Sequence, residues 1–306
     1  MSDARNVISA TGETPSPVPG YFADPNLFVH GGVYWLYATV DGYSDWSATT
    51  FRAFSSVDLV SWTDHGEIFD VRNSGWASGH AWAPGHAEKN GSHYLYYTAD
   101  RGFIGVAVAA HPAGPFIDLG RPLVSEGEYD GVAIDPSVFV DDDGQAYLWW
   151  GNGTAHCVPL GDDMTSFDHR NVISTVPEEF REAAWVHRRG DLYYLSWSAG
   201  DTRDGEYRVL YATGHAPTGP WTFGGVVVEK QPHRGILATG HHSIARIPDD
   251  ADAWVIAYHR FAINGGDGYH REIRFDLLNH ADGAAIQPVQ PSASPLRLPL
   301  PAVIQN

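Results

Sequence analysis

From Ile134 to Gly153 the chain reads IDPSVFVDDDGQAYLWWGNG: a short apolar run, three acids closed by a glycine, then an aromatic-rich run. This pattern predicts a β-hairpin with strands over Ser137–Val140 and Ala146–Trp150. Its polar turn spans Asp141–Gly144, where Asp and Gly tolerate the backbone angles a tight turn demands. The same pattern occurs four more times. Asp24-Pro25 precedes NLFVHGGVYWLYATV, and Ala83-Pro84 precedes GHAEKNGSHYLYYTAD. Glu182-Ala183 precedes AWVHRRGDLYYLSWSAG, and His241-His242 precedes SIARIPDDADAWVIAYHR. The aromatic anchors Tyr34, Tyr94, Tyr147, Tyr193 and Trp254 are separated by 60, 53, 46 and 61 residues. A repeat near 50 residues with several strands per unit is the signature of propeller blades. The expected architecture is therefore all-β, a five-bladed β-propeller.

The order of segments fills in the rest. Residues 1–20 form a polar leader read as an extended strap, residues 21–290 the propeller, and residues 291–306 a proline-rich tail packed on it. No long stretch has apolar residues at helical spacing. The phrases HPAGPF (111–116) and APTGPW (216–221) are near copies in blades two and four and read as structural turns. Composition agrees, with 13% aromatic residues, 33 glycines and 20 prolines among 306 residues.

Charge narrows the partners. A net charge of −18 argues against nucleic acid, which needs clustered Lys and Arg, and against anionic membrane surfaces. A neutral small-molecule or oligosaccharide substrate is the easier reading. The single cysteine, Cys157, excludes an internal disulfide and reads as a buried small hydrophobe. No apolar run is long enough for a membrane span. The first residues show no signal-peptide apolar region, so the chain as it stands reads as cytoplasmic, although a trimmed chain would read the same way.

Function follows from phase. The innermost strand of each blade lines the channel, so residues at one phase converge on the axis at one face. Counting back from the aromatic anchors, that phase holds Asp24, Ala83, Asp135, Glu182 and His241. Clustered acids repel one another, and burial raises their pKa further. A glycosidase needs such a cluster: one carboxyl stays protonated for the leaving oxygen, another stays ionised to activate water, and a third tunes the acid. Taken singly, each Asp-Pro is also a common way to start a turn.

The blocks Ala23-Asp24-Pro25, Ile134-Asp135-Pro136-Ser137 and Phe180-Arg181-Glu182-Ala183 resemble the three catalytic blocks of glycoside hydrolase family 43. Trp82-Ala83-Pro84-Gly85 and Gly240-His241-His242-Ser243 resemble two further family blocks. One departure is Ala183-Ala184, where many members carry Gly-Pro. The resemblance implies a five-bladed propeller and inverting hydrolysis of arabinose- or xylose-containing glycans. It implies Asp24 as general base, Asp135 as pKa modulator and Glu182 as general acid. The run Tyr258-His259-Arg260-Phe261-Ala262-Ile263, with Gly265-Gly266-Asp267-Gly268 and Arg271-Glu272 after it, looks most like exo-acting α-1,5-L-arabinofuranosidases. That implies an arabino-oligosaccharide substrate, with β-xylosidase activity or a non-catalytic carbohydrate-binding propeller as the alternatives. The chemistry needs no cofactor.

Three further expectations concern binding. Arg260 would donate to sugar hydroxyls, or else form a salt bridge on the channel wall. Phe22 and Trp82 flank channel-phase residues and are the aromatics favoured for stacking on sugar. Trp149, Trp185 and the two aromatics of the loop Asp41–Trp46 are further candidates. His241 would hold a structural Ca²⁺ on the axis through water, as family members often do, or else meet a catalytic carboxylate. By strand alternation His242 would point away. Asp141, Asp142 and Asp143 lack the spacing of a calcium loop and read as a solvated turn. His86 and His187 read as ordinary histidines.

Overall fold

The computed structural model describes residues 14–298, apart from 249, 251, 264, 282 and 293. Five antiparallel sheets are arranged as a five-bladed propeller. Blade one holds β1 (Phe22–His30), β2 (Val33–Val40), β3 (Thr50–Ser56) and β4 (Thr63–Asp70). Blade two holds β5 (Trp82–Lys89), β6 (Ser92–Ala99), β7 (Phe103–Ala109) and β8 (Ile117–Asp118). Blade three holds β9 (Ser137–Val140), β10 (Ala146–Trp150), β11 (Ala155–Pro159) and β12 (Ile173–Thr175). Blade four holds β13 (Glu182–Arg189), β14 (Leu192–Ala199), β15 (Arg208–Gly214) and β16 (Thr222–Val228). Blade five holds β17 (Gly240–Arg246), β18 (Trp254–Phe261) and β19 (Arg271–Leu278). The hairpin β9–β10 has the bounds that its sequence pattern predicts.

The ring closes through apolar contacts between blades. Among the described residues, five buried clusters each draw on two neighbouring sheets. One joins Leu27 and Phe54 of blade one to Val255 and Phe275 of blade five, so first and last blades meet. This is why strands rich in Val, Leu and aromatics on both faces fit the fold: each sheet is covered on both sides. Phe22 belongs to this core. It is 8% exposed and packs edge-on against Phe54, with ring centroids 5.0 Å apart. Contrary to the sequence reading, it offers no face to a sugar. Trp149 and Trp150 are likewise buried, in two different inter-blade clusters, as expected of adjacent strand residues. Cys157 is free and buried.

The ends are strapped to blade five. Arg260 and Arg274 donate to the Thr14 carbonyl, and Arg274 also reaches the Pro15 and Ser292 carbonyls. Residues 1–13 and 299–306 of the expected leader and tail lie outside the described residues. Asp141 is no solvated turn residue. It is nearly buried and accepts from Arg188 Nη1 (2.8 Å) and the Tyr193 hydroxyl (2.7 Å), tying blade three to blade four.

One backbone device recurs at the axis. Strands β1, β5, β13 and β17 each carry one extra residue relative to their partner strand. Asp24, Ala83, Ala183 and His241 sit in these bulges with φ between 40° and 59°, and Asp135 adopts φ 58° just before β9. A left-handed residue bends the strand and re-aims its side chain, at a cost of roughly 1–3 kcal/mol that the surroundings must offset. The offset is visible. The Ala83 amide donates to Thr39 Oγ1 (2.8 Å), Asp135 to Thr98 Oγ1 (3.0 Å), His241 to Ser198 Oγ (2.8 Å) and Asp24 to His259 Nδ1 (3.2 Å). Each acceptor stands on the second strand of the preceding blade. In blade three the matching position is Gly151, hydrogen-bonded to Ile134 and lacking a side chain. The Ala183 amide instead donates to the Asp135 carboxylate.

The innermost strands meet backbone to backbone. A Cβ on Gly85 would lie 2.4 Å from the Pro136 carbonyl oxygen, which belongs to another blade and cannot swing aside. Gly85→Ala is therefore expected to cost about 1–3 kcal/mol through overpacking. Calorimetry should show a melting temperature lower by several degrees, and an unchanged value would contradict this close approach.

Candidate active site

A pocket of about 280 Å³ opens at the end of the axis where the bulges lie, lined by residues from all five blades. Asp24, Asp135 and Glu182 all line it, with Trp82 and His241. The three acids therefore converge as the sequence predicts, but by two different routes. Asp24 and Asp135 are themselves left-handed residues. Glu182 precedes the bulge, and Ala183 takes the left-handed place. Glu182 thus occupies the phase of Trp82, not that of Asp24; counting at a strict period of two cannot register an inserted residue.

The environments of the acids differ. Asp24 is buried beside Arg271, whose Nη1 is 3.2 Å from Oδ1, with His241 Nδ1 at 3.3 Å and His259 Nδ1 at 3.2 Å. Burial pushes its pKa up, but Arg271, then His241 and His259, outweigh this and hold it well below the usual carboxylate range. Arg271 is itself clamped by buried Asp41, through Nε–Oδ2 at 2.8 Å and Nη2–Oδ1 at 3.1 Å. Glu182 is held by two donors, the Tyr207 hydroxyl to Oε1 (2.8 Å) and Asn152 Nδ2 to Oε2 (2.6 Å). Burial raises its pKa against those bonds, and Asp24 adds repulsion. Burial, then repulsion from Glu182 and Asp24, raises Asp135 well above the carboxylate range. The site thus combines one ionised carboxylate with a neighbouring pair whose members resist being ionised together.

Tyr207 and Asn152 were not singled out from sequence, and Arg271 was noted only in the run after Tyr258, without a role. Tyr207 reaches Glu182 because residue 240 is glycine: a Cβ there would sit 2.1 Å from the Tyr207 ring. Arg260 does not line the pocket. It is fully buried and pairs with Glu272 through Nε (2.9 Å) and Nη2 (2.8 Å), directly across the strands. The salt-bridge alternative describes it. His259 faces Asp24, and strand alternation turns Arg260 the other way. The pocket arginine at the axis is Arg271.

Trp82 forms one wall. Its Nε1 donates to the Trp46 carbonyl (2.7 Å), and the two indoles meet edge-on at 6.2 Å. Trp46 lies against Tyr269 at 4.6 Å and donates Nε1 to the Gly268 carbonyl (2.8 Å). Of the two loop aromatics, Trp46 lines the pocket, whereas Tyr43 is exposed. Arg101, Arg181 and Arg203 also line the pocket.

His241 meets the acids. Its Nδ1 is 3.3 Å from Asp24 and 3.7 Å from Asp135, and burial lowers its pKa to about 4, so the ring is neutral near pH 7. Behind it lies a small axial cavity of about 10 Å³, room for about one water. His242, expected to point away, lines this cavity with Asn26. Asn26 Oδ1 and His242 Nδ1 there have no hydrogen-bond partner. Calcium takes six to eight oxygen ligands. Asp24, Asp135 and His241 line both this cavity and the larger pocket, and no chemical step is assigned to an ion there.

A model of the glycosyl hydrolases family 43 matches residues 14–285. The chain belongs to glycosyl hydrolases family 43. It is 35% identical to a β-D-galactofuranosidase of Aspergillus niger over 89% of this chain and 83% of the relative. It is 32% identical to xylosidase/arabinosidase 43A of Humicola insolens over 83% and 92%. The solved α-L-arabinofuranosidase of Clostridium thermocellum superposes with a TM-score of 0.75 at 32% identity, over 90% of this chain and 96% of that one. The family-43 chain described here is a glycoside hydrolase.

The two arginines should separate in mutants. Arg271→Gln removes the main charge opposing Asp24 protonation, so the Asp24 pKa rises. The acid limb of kcat/KM then moves to higher pH. Arg260→Gln should leave that limb in place and lower the melting temperature, because it strands the buried Glu272 charge. A pH–rate profile and a melt of each variant check both outcomes.

Proposed function

We propose that this protein is an inverting exo-glycosidase that releases terminal α-L-arabinofuranosyl residues from arabinan or arabino-oligosaccharides. The carrying observation is the division of labour among the acids: Asp24 held ionised by Arg271, opposite a pair that retains a proton. An inverting glycosidase needs such an arrangement.

Asp24 takes a proton from water, which attacks the anomeric carbon from one face. Glu182 gives its proton to the glycosidic oxygen on the other. Tyr207 and Asn152 fix the Glu182 carboxyl, and repulsion within the Asp135–Glu182 pair keeps one proton on it for transfer through Glu182. Asp135 is oriented in turn by the Ala183 amide. The pocket volume, about 280 Å³, is at the small end for ligand sites. It suits one terminal sugar with the chain leaving over the rim, which is exo action. The aromatic corner of Trp46 and Trp82 offers an apolar surface for the sugar ring.

Furanose release is among the activities that the relatives' names carry. β-D-Galactofuranose is α-L-arabinofuranose with one further hydroxymethyl group on its exocyclic arm, so one ring-binding floor serves both. Xylose release is the second reading, because the Humicola insolens relative carries xylosidase and arabinosidase together in its name. A binding propeller without catalysis would be expected to lack one acid, and all three are present.

Assay on nitrophenyl α-L-arabinofuranoside, β-D-xyloside and β-D-galactofuranoside, then on arabinan oligomers, tests the substrate. The arabinofuranoside should give the highest kcat/KM, and a preferred xyloside would overturn the assignment. Proton NMR of first-formed product should show the β anomer; the α anomer would overturn inversion. Asp24→Ala should abolish turnover of every substrate. Glu182→Ala should cost roughly 10²–10⁴-fold on oligosaccharides and far less on aryl glycosides with good leaving groups. Asp135→Asn should move the alkaline limb of the pH profile to lower pH, because Glu182 then loses its proton sooner.

A further inference from the structure

At the far end of the inner strands from the acids, between blades one and two, three metal-ligating side chains meet. His30 ends β1, Glu88 lies near the end of β5, and His93 lies near the start of β6. One donor atom from each falls within 4.8 Å of the other two, and among the described residues this is the one such group of three. His30 Nδ1 is 2.8 Å from Glu88 Oε2, and the His30 and His93 rings meet edge-on at 4.7 Å. We propose that His30, Glu88 and His93 form a binding site for a zinc-class divalent cation, separate from the catalytic pocket.

The surroundings resemble a supported metal site rather than a chance cluster. His93 is buried, and its Nδ1 is 3.1 Å from Nε2 of His86. Metal-ligating histidines typically engage their second ring nitrogen in this way, which fixes the tautomer and the ring orientation. His93 Nε2 is then the ligand atom. His86 is itself immobilised, buried and stacked on Phe28 with centroids 3.5 Å apart and planes at 12°. His30 and Glu88 are each 38% exposed at the side chain, so an ion can enter from solvent. Two imidazoles and one carboxylate with an open fourth position suit Zn²⁺, or Co²⁺ and Ni²⁺, better than Ca²⁺. The six residues from Asp24 to His30 along β1 put the site about 20 Å from the acids.

Titration of zinc chloride into tag-free, chelator-treated full-length protein, followed by calorimetry, tests this. One Zn²⁺ per chain is expected, with a raised melting temperature. Binding should be at least roughly tenfold weaker in Glu88→Gln and in His30→Ala, both half-exposed positions whose change leaves the core intact. His86→Gln should weaken it roughly 10–100-fold through the lost support. Substituted Co²⁺ should give the visible absorption of a low-symmetry site in the parent protein and lose it in His30→Ala. Glycosidase turnover should be the same with and without zinc. Absence of uptake by folded protein, or uptake unchanged in both Glu88→Gln and His30→Ala, would overturn the proposal.

Discussion

A single buried cation organises the floor of the pocket. Arg271 is almost wholly enclosed, touching Asp41 through two nitrogens and Asp24 through a third. A charge in that position is tolerable only when paired and hydrogen-bonded, and both of its carboxylate partners come from the other end of the chain, in blade one. The pairing therefore helps to close the ring and at the same time holds Asp24 ionised. Without it, a third carboxylate beside Asp135 and Glu182 would be driven to take up a proton by burial and repulsion. Blade closure and catalytic charge depend on one guanidinium.

The left-handed residues solve a second problem. A regular strand would send successive side chains to alternate faces, and the acids would be buried inside the blades. A left-handed residue at the start of the inner strand turns the carboxylates of blades one and three toward the axis. The preceding blade accepts the exposed amide, so each bulge is locked by its neighbour. Blade four departs from the rule. Gly151 offers no side chain, and the free Ala183 amide goes to Asp135 instead. A missing side chain in one blade thus becomes an orienting hydrogen bond in the site.

Much of this was legible in the sequence because it is repeated. Five hairpins with aromatic anchors define five blades, and the acid-bearing starts of three inner strands lie together on the axis. What could not be read is whatever depends on a single inserted residue or on contacts between distant strands. Glu182 was assigned the phase of Asp24 because a count of residues contains no bulge. Arg260 was preferred over Arg271, although the two lie on adjacent strands facing opposite ways. Phe22 neighbours a pocket residue in sequence but turns into the core against Phe54. His241 was weighed between an ion and a carboxylate, and its Nδ1 lies 3.3 Å from Asp24 and 3.7 Å from Asp135. Tyr207 and Asn152, the two donors to Glu182, stand in loops whose sequence carries no catalytic pattern.

The proposed chemistry depends on where the protons are: none on Asp24, one held between Asp135 and Glu182. Neutron crystallography of deuterium-exchanged protein near neutral pH observes this directly. The arrangement described here predicts a bare Asp24 carboxylate facing the guanidinium and neutral His241, with a single deuteron on the Asp135–Glu182 pair. A deuteron on Asp24, or a pair with none, would contradict it.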